Sequence, residues 1–158
     1  MKYYLAYGSN LNKVQMSHRC PDAVPIGKTR IPNYELVFRR GVLTIEPKQG
    51  SSVPVGVWEI SNEDERHLDR YEGYPRFYFK QSFVLQITVV HYTEMGGWKL
   101  DGYPVAMAYI MTPGHQISGP SDSYFRTVVD GYHDFGFTEA DRKLLWKAYA
   151  KSRKGEFQ

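Results

Sequence analysis

The sequence contains a single cysteine, Cys20, among its 158 residues. One thiol cannot form an intramolecular disulfide, and this usage is typical of proteins in the reducing cytoplasm, which is the expected location. We expect Cys20 to be a small buried hydrophobic side chain.

The sequence also lacks long apolar runs and a large excess of either positive or negative charge. No apolar run approaches the roughly 20 residues that cross a bilayer. The opening MKYYLAYGSN has no signal-peptide core, so no membrane association is expected. The 20 basic residues are scattered among 17 acidic ones, for a formal net charge of +3. This distribution predicts no nucleic-acid-binding surface.

Motifs for metals and nucleotides are also absent. One cysteine cannot build a thiolate site, and the histidines show no metal-ligand spacing. They are His18, His67, His91, His115 and His133. No G-x-G-x-x-G or P-loop pattern occurs, so we expect neither a metal nor an organic cofactor.

What the sequence does contain is the composition of one globular domain over residues 1–158. Hydrophobic residues make up 42% and aromatic residues 15%, including 13 tyrosines, which favours strands and pockets. The patterns predict short strands at 2–7, 24–31, 34–39, 42–47, 53–60, 77–90 and 103–111, and helices at 12–20, 62–72, around 125–132 and from 138 to about 155.

Because six or seven strands are followed by helices gathered at the end, the predicted class is α+β. We expect a small closed, mostly antiparallel β-barrel with short flanking helices. A doubly wound parallel fold would need regular strand–helix alternation, which this sequence lacks.

The stretch YYLAYGSNL, residues 3–11, is an apolar strand that ends in three small residues. Ser9 does not fit a nucleophile elbow, because Tyr7 and Leu11 stand where G-x-S-x-G requires glycines. The alternative is a strand-to-helix turn.

Gly8, Ser9 and Asn10 lie just before a helix that Asn12 can cap. Backbone N–H groups at such a point attract an anion, and small residues let a ligand approach the backbone closely. A tight turn without a ligand would have the same sequence, so this segment alone leaves both interpretations open.

Glu72 is the candidate acid/base. On the predicted helix 62–72, Leu68 and Glu72 are spaced i, i+4 and share a face. Leu68 is the only aliphatic residue there, so this face should point to the core. Desolvation and the helix dipole would both raise the pKa of a carboxyl at that position, as a general acid/base requires. An ion pair with Arg70 or Arg76 is the alternative.

Taken together, these segments resemble the γ-glutamylcyclotransferase-like family. The similar segments, in chain order, are YGSNL, GVLTIEP, VGVWEI, LDRYEGYP, AYIM and PSDSYFRTVVDGYHDFGF. They span nearly the whole chain. The specific part is the combination of YGSNL with a glutamate–glycine pair roughly sixty residues later.

The resemblance implies a closed β-barrel with flanking helices, and an enzyme that cyclises a γ-glutamyl group without a cofactor. The products would be 5-oxoproline and an amine or amino acid. Glu72 would be the acid/base. The substrate-binding residues that it implies are Tyr7, Gly8, Ser9, Asn10, Leu11, Tyr124 and Tyr78, with Phe79 replacing Tyr78 if the register slips.

Alternatives to this enzyme remain open at the level of sequence. One is a non-catalytic member of the same fold that binds a peptide or a partner protein. Another is a cyclotransferase specific for γ-glutamyl amines, because leaving-group preference depends on loops such as 113–122. The expected ligand is a small γ-glutamyl molecule. The oligomeric state is open, with a homodimer as one arrangement.

Overall fold

The computed structural model describes residues 2–89, 98–99 and 103–155. The strands are β1 Lys2–Ala6, β2 Val24–Arg39, β3 Val42–Ile60, β4 Tyr78–Val84, β5 Thr88–Val89, β6 Trp98–Lys99 and β7 Val105–Met111. The helices are α1 Lys13–Arg19, α2 Asn62–Glu72, α3 Asp122–Asp134 and α4 Glu139–Gly155, with a 3₁₀ turn at Ser9–Leu11. None of the helices in these residues combines the length and apolarity needed to span a bilayer.

The strands form one mixed sheet in the order β4-β7-β1-β3-β2-β5-β6. Within it, β1 pairs antiparallel with β3 and parallel with β7. Five strands are five residues or longer, whereas β5 and β6 have two residues each. The α+β class is therefore confirmed, with one parallel pair in the sheet.

The predicted closed barrel is wrong for the described part of the chain. Strands β4 and β6 lie at opposite edges of the sheet and do not pair with each other. A barrel closes only when strand pairing runs continuously around it. Within residues 2–89, 98–99 and 103–155 the sheet is therefore open.

The hairpin of β2 and β3 replaces four predicted short strands. Its register shifts twice, at Ile26 and at Asn33, and at Asn33 the pairing also skips residues 48–51 of β3. Asn33 adopts a positive φ of 62°, and its side-chain oxygen accepts a 3.1 Å hydrogen bond from the Gly50 N–H. The predicted strands end at 31 and 47, but these positions lie inside one continuous hairpin. The unpaired residues form a bulge, and strand pairing continues on both sides of it.

Capping side chains set the starts of α1 and α2, and the cap of α1 is the predicted Asn12. The Asn12 side chain accepts a 3.0 Å hydrogen bond from the Gln15 N–H at the start of α1. Ser61 and Asp64 form a reciprocal capping box at the start of α2. That helix ends at Gly73, whose φ is 66°. The predicted boundaries of both helices therefore match within about one residue.

The last predicted strands and helices are also largely found. The predicted strand at 77–90 corresponds to β4 and β5, and the one at 103–111 corresponds to β7. A predicted turn at 94–97 lies outside the described residues. The two C-terminal helices, α3 and α4, lie where the apolar spacing and the Thr138–Asp141 capping pair predict them.

Two glycines create the space for the 3₁₀ turn between the sheet and α3. A Cβ added to Gly131 of α3 would lie 2.6 Å from Leu11 Cβ and 2.8 Å from the Asn12 nitrogen. A Cβ added to Gly56 of β3 would lie 2.8 Å from Leu11 Cδ2. Leu11 is fully buried between them. The position of the turn therefore depends on the absence of side chains on both sides.

Replacing Gly131 by alanine tests this packing. Helix propensity alone would stabilise the protein by about 1 kcal/mol. Because the clash is with the backbone of Asn12 as well as with Leu11, we expect a net loss of roughly 1–3 kcal/mol. Urea denaturation measures the difference, with Asp130→Ala at the exposed neighbouring position as the control. A Gly131→Ala protein as stable as the parent would show that the turn is free to shift.

Candidate functional site

A cavity of about 210 Å³ lies where β1 ends. Thirteen residues line it: Tyr4, Tyr7, Gly8, Ser9, Asn10, Val42, Leu43, Tyr71, Glu72, Phe77, Tyr78, Tyr109 and Tyr124. At roughly 30 Å³ for each molecule in the liquid, this volume corresponds to about seven waters. The cavity therefore suits a small ligand and not a folded partner.

The turn after β1 lines the cavity through Gly8, Ser9 and Asn10. The N–H of Leu11 donates to Gly8 O and that of Asn12 donates to Ser9 O, both at 3.0 Å. In such a 3₁₀ turn the preceding N–H groups, those of Ser9 and Asn10, have no acceptor within the turn. The sequence predicted that these residues lead straight into α1, whereas the structure places the extra turn between them and the helix.

Gly8 leaves space at the end of β1. Its φ of −121° lies outside the left-handed region. A Cβ at this position would lie 3.1 Å from the Tyr124 hydroxyl and 3.6 Å from Leu43 Cβ. The missing side chain therefore lets Tyr124 approach the end of β1.

Glu72 is the last residue of α2 and reaches the same cavity. Leu68, one turn earlier, is fully buried and directs this face of the helix inward. Within the described residues Glu72 forms no ion pair with Arg70 or Arg76. Burial raises the pKa of Glu72 to about 7, and the charge of Arg19 opposes that rise. The carboxyl can therefore take up or release a proton near neutral pH.

An ion-pair cluster holds α2 against the sheet. Lys80 of β4 contacts Glu65 at 2.7 Å and Asp69 at 2.9 Å. Lys2 of β1 contacts Glu65 at 2.6 Å, and the Tyr109 hydroxyl donates to Asp69 Oδ1 at 2.5 Å. Side chains of β1, β4 and β7 thus hold α2 in place. Because Glu72 is the last residue of that helix, these contacts also limit the movement of its carboxyl.

Two cavity tyrosines already donate their hydroxyl protons to backbone carbonyls. Tyr7 donates to Tyr109 O, and Tyr78 donates to Leu43 O at 2.7 Å. These bonds tie the cavity wall together across β1, β3, β4 and β7. We infer that Tyr7 and Tyr78 shape the cavity and have no proton left for a ligand.

Two other tyrosines keep their hydroxyl protons available. The Tyr124 hydroxyl accepts from the Leu43 N–H at 3.1 Å, and the Tyr4 hydroxyl accepts from Asn10 Nδ2 at 2.9 Å. Burial raises the pKa of both phenols, so they stay protonated at neutral pH. Each can therefore donate a hydrogen bond into the cavity.

Most of the residues that the sequence singled out meet here. Seven line the cavity: Glu72, Tyr7, Gly8, Ser9, Asn10, Tyr78 and Tyr124. The side chain of Leu11 lies instead in the core beneath the turn. Phe79 is half-buried and follows Tyr78 in β4, so the alternation of a strand directs it to the other face. The structure therefore places Tyr78, and not Phe79, on the cavity wall.

Several site residues were not predicted from the sequence. Tyr71 and Tyr4 lie beside predicted residues in the chain, so proximity could have suggested them. Leu43 and Tyr109 lie in the segments GVLTIEP and AYIM that carry the family resemblance, but only strand pairing brings them to the cavity.

The stability of a Glu72→Gln variant tests the burial of this carboxyl. The pKa is about 7 in the folded protein against an ordinary value of 4.5. Stability is therefore greatest below about pH 4.5 and falls as the pH rises toward 7. Glutamine has no charge to desolvate, so at about pH 8 the variant should be more stable than the parent by roughly 1–3 kcal/mol. Urea denaturation measures the stability of both proteins as a function of pH. If the two stabilities change equally with pH, the Glu72 carboxyl is exposed to solvent.

A model of the family described as γ-glutamyl cyclotransferase, AIG2-like, matches residues 4–126. This range includes the turn after β1, Glu72, Tyr78 and Tyr124. Comparison with curated proteins gives no match.

Solved structures share the fold at low sequence identity. A structure described as a γ-glutamyl cyclotransferase has a TM-score of 0.71 and 24% identity, over 90% of this chain and 85% of that one. An uncharacterized protein from Homo sapiens has a TM-score of 0.69 and 24% identity over the same shares of the two chains. An AIG2-like protein from Mus musculus has a TM-score of 0.51 and 18% identity, over 78% and 82%.

Proposed function

Because the chain belongs to the AIG2-like γ-glutamyl cyclotransferase family, we propose that it cyclises a γ-glutamyl group and releases 5-oxoproline with an amine or amino acid. One observation carries the proposal. Glu72 and the residues of the turn after β1 line one small cavity. A γ-glutamyl group needs both a site for its α-carboxylate and a base beside its α-nitrogen.

The turn is the proposed site for the α-carboxylate. The N–H groups of Ser9 and Asn10 begin a 3₁₀ turn and supply donors to an anion. Gly8 keeps the wall open, since any side chain there would meet the Tyr124 hydroxyl. Binding the carboxylate at this end directs the rest of the glutamyl chain toward Glu72 and the tyrosines.

Glu72 is the proposed proton carrier. As a carboxylate it takes a proton from the α-ammonium, which leaves a neutral amine able to attack the γ-carbonyl carbon. A pKa of about 7 suits a group that must accept one proton and release it again. Asn10 Nδ2 lies 3.2 Å from Glu72 Oε1 and holds the carboxyl in place.

Attack of the nitrogen closes a five-membered ring and places negative charge on the γ-carbonyl oxygen. Tyr124 and Tyr4 have hydroxyl protons free to stabilise that oxygen. The tetrahedral intermediate then collapses, and the bond to the leaving nitrogen breaks as Glu72 returns its proton to the departing amine. The ring nitrogen releases its remaining extra proton to the regenerated carboxylate, which passes it to solvent. The protein supplies no nucleophile, because the substrate carries its own, and positioning provides much of the rate.

A substrate panel tests the reaction directly. The protein would be incubated with γ-glutamyl amino acids, γ-glutamyl amines and glutathione, and free 5-oxoproline would be measured. Release from amino-acid conjugates, or from amine conjugates only, separates the two enzymatic alternatives. If the compounds stabilise the protein against heat without any release, a binding protein of the same fold is the better description.

Replacement of Glu72 by glutamine should slow the reaction strongly while the fold persists. Loss of the proton acceptor should lower turnover by roughly 10²–10⁴, although Asn10 can still hydrogen-bond to the amide oxygen. Glu63→Gln in the exposed first turn of α2 is the matched control and should keep full turnover. Normal 5-oxoproline release by the Glu72 variant would rule out this carboxyl as the acid/base.

Gly8→Val tests the carboxylate site separately from the chemistry. A branched side chain at this position would press on Tyr124 and occupy the space beside the N–H groups. We expect the variant to fold and to lose the increase in melting temperature that a γ-glutamyl compound gives the parent. Glu72→Gln should keep that increase. If the ligand raises the melting temperature of the Gly8 variant as much as that of the parent, the anion binds at a different site.

A further inference from the structure

Arg19, the last residue of α1, connects the turn to the end of α2. Its Nη1 donates to Asn10 Oδ1 at 2.5 Å, and its Nη2 donates to Gln15 Oε1 at 2.5 Å. Its guanidinium carbon lies 3.6 Å from the centre of the Tyr71 ring, which forms part of the cavity wall. None of the sequence patterns indicated this arginine.

The Asn10 amide has only one favourable orientation because of these contacts. Its Nδ2 donates to the Tyr4 hydroxyl and to Glu72 Oε1, while its Oδ1 accepts from Arg19. A reversed amide would turn its oxygen toward the Glu72 carboxylate and its N–H bonds toward the guanidinium. Both contacts would be repulsive, so Arg19 determines which end of the amide faces the carboxyl.

We propose that Arg19 is a positioning residue: it orients the Asn10 amide so that its N–H bonds face Glu72, and thereby keeps that carboxyl in its proton-accepting form. This role rests on the proposed function of Glu72 as the base. Arg19 acts through Asn10 and through its charge, and it does not line the cavity itself.

Among the described residues that line the cavity with Glu72, the other ionisable groups are phenols. They are the phenols of Tyr4 and Tyr7 near the end of β1, Tyr71 of α2, Tyr78 of β4, Tyr109 of β7 and Tyr124 of α3. Burial raises the pKa of Tyr4, Tyr7, Tyr78, Tyr109 and Tyr124. Arg19 is the cation whose charge opposes the effect of burial on Glu72. Without Arg19, no positive charge would counteract the effect of burial on the pKa of Glu72.

The test compares Arg19→Met and Arg19→Gln, which remove the charge, with Arg19→Lys, which keeps it. Arg66→Met is the matched control, because Arg66 pairs with Glu63 on the exposed face of α2. The pKa of Glu72 is read from the ¹³C shift of its carboxyl, assigned by its loss in Glu72→Gln. The pH dependence of kcat/KM for 5-oxoproline release is the second readout.

We expect the neutral variants to raise the pKa of Glu72 and to move the acid limb of the kcat/KM profile to higher pH. A rise of half a pKa unit would lower kcat/KM about threefold at pH values below the pKa. Arg19→Lys should restore much of the parent profile, and Arg66→Met should leave it unchanged. If Arg19→Met does not fold, Arg19→Gln provides the same comparison.

Two results would overturn the positioning role. One is a Glu72 pKa that is the same in Arg19→Gln and the parent. The other is a rise in the Glu72 pKa in Arg66→Met that equals the rise in the neutral Arg19 variants. Such a result would mean that net charge, and not the position of Arg19, sets this pKa. The NMR readout does not need turnover. A parent protein that releases no 5-oxoproline would therefore contradict the proposed reaction, while the carboxyl titration would still decide the role of Arg19.

Discussion

The buried amide of Asn10 is the interaction on which the arrangement of the site depends. The Asn10 side chain forms hydrogen bonds with Tyr4, Arg19 and Glu72. The backbone carbonyl of Asn10 accepts a 3.0 Å hydrogen bond from Trp58 Nε1. These partners come from β1, α1, α2 and β3. A buried polar group is stable only when its bonds are made, so the four elements are constrained to meet at this residue.

The packing beneath Asn10 explains why the turn is where it is. Leu11 fills the space that Gly56 leaves on the sheet and Gly131 leaves on α3. With Leu11 inserted into the core, the two residues before it must lie at the surface of the cavity. Hydrophobic burial thus holds the turn in place, and its polar groups become available to a ligand.

Glu72 shows the opposing demands of stability and function. Its burial costs stability at neutral pH, and the same burial brings its pKa to about 7. Leu68 and the Lys80 ion pairs hold α2 in position despite that cost. Arg19 limits the cost by favouring the charged form.

The local features of this protein could be predicted from the sequence because they arise from nearby residues. The Asn12 cap, the Ser61–Asp64 capping box and Gly73 mark helix ends through bonds within a few residues of each other. The i, i+4 spacing of Leu68 and Glu72 places both on one inward face. A family resemblance then related Glu72 to the turn after β1, which spacing alone could not do.

The tertiary structure decided everything that depends on pairing between distant segments. Closure of the sheet depends on how far edge pairing extends, and strand patterns do not encode that extent, so the barrel prediction was wrong. Likewise, prolines around Asn33 predicted strand ends, yet bonds to β3 carry β2 past them. Arg19, Tyr109 and Leu43 join the site only because α1, β7 and β3 converge at the end of β1. The sequence by itself determined which residues cap, turn and face inward; side-chain packing and strand pairing over long separations determined which of them meet.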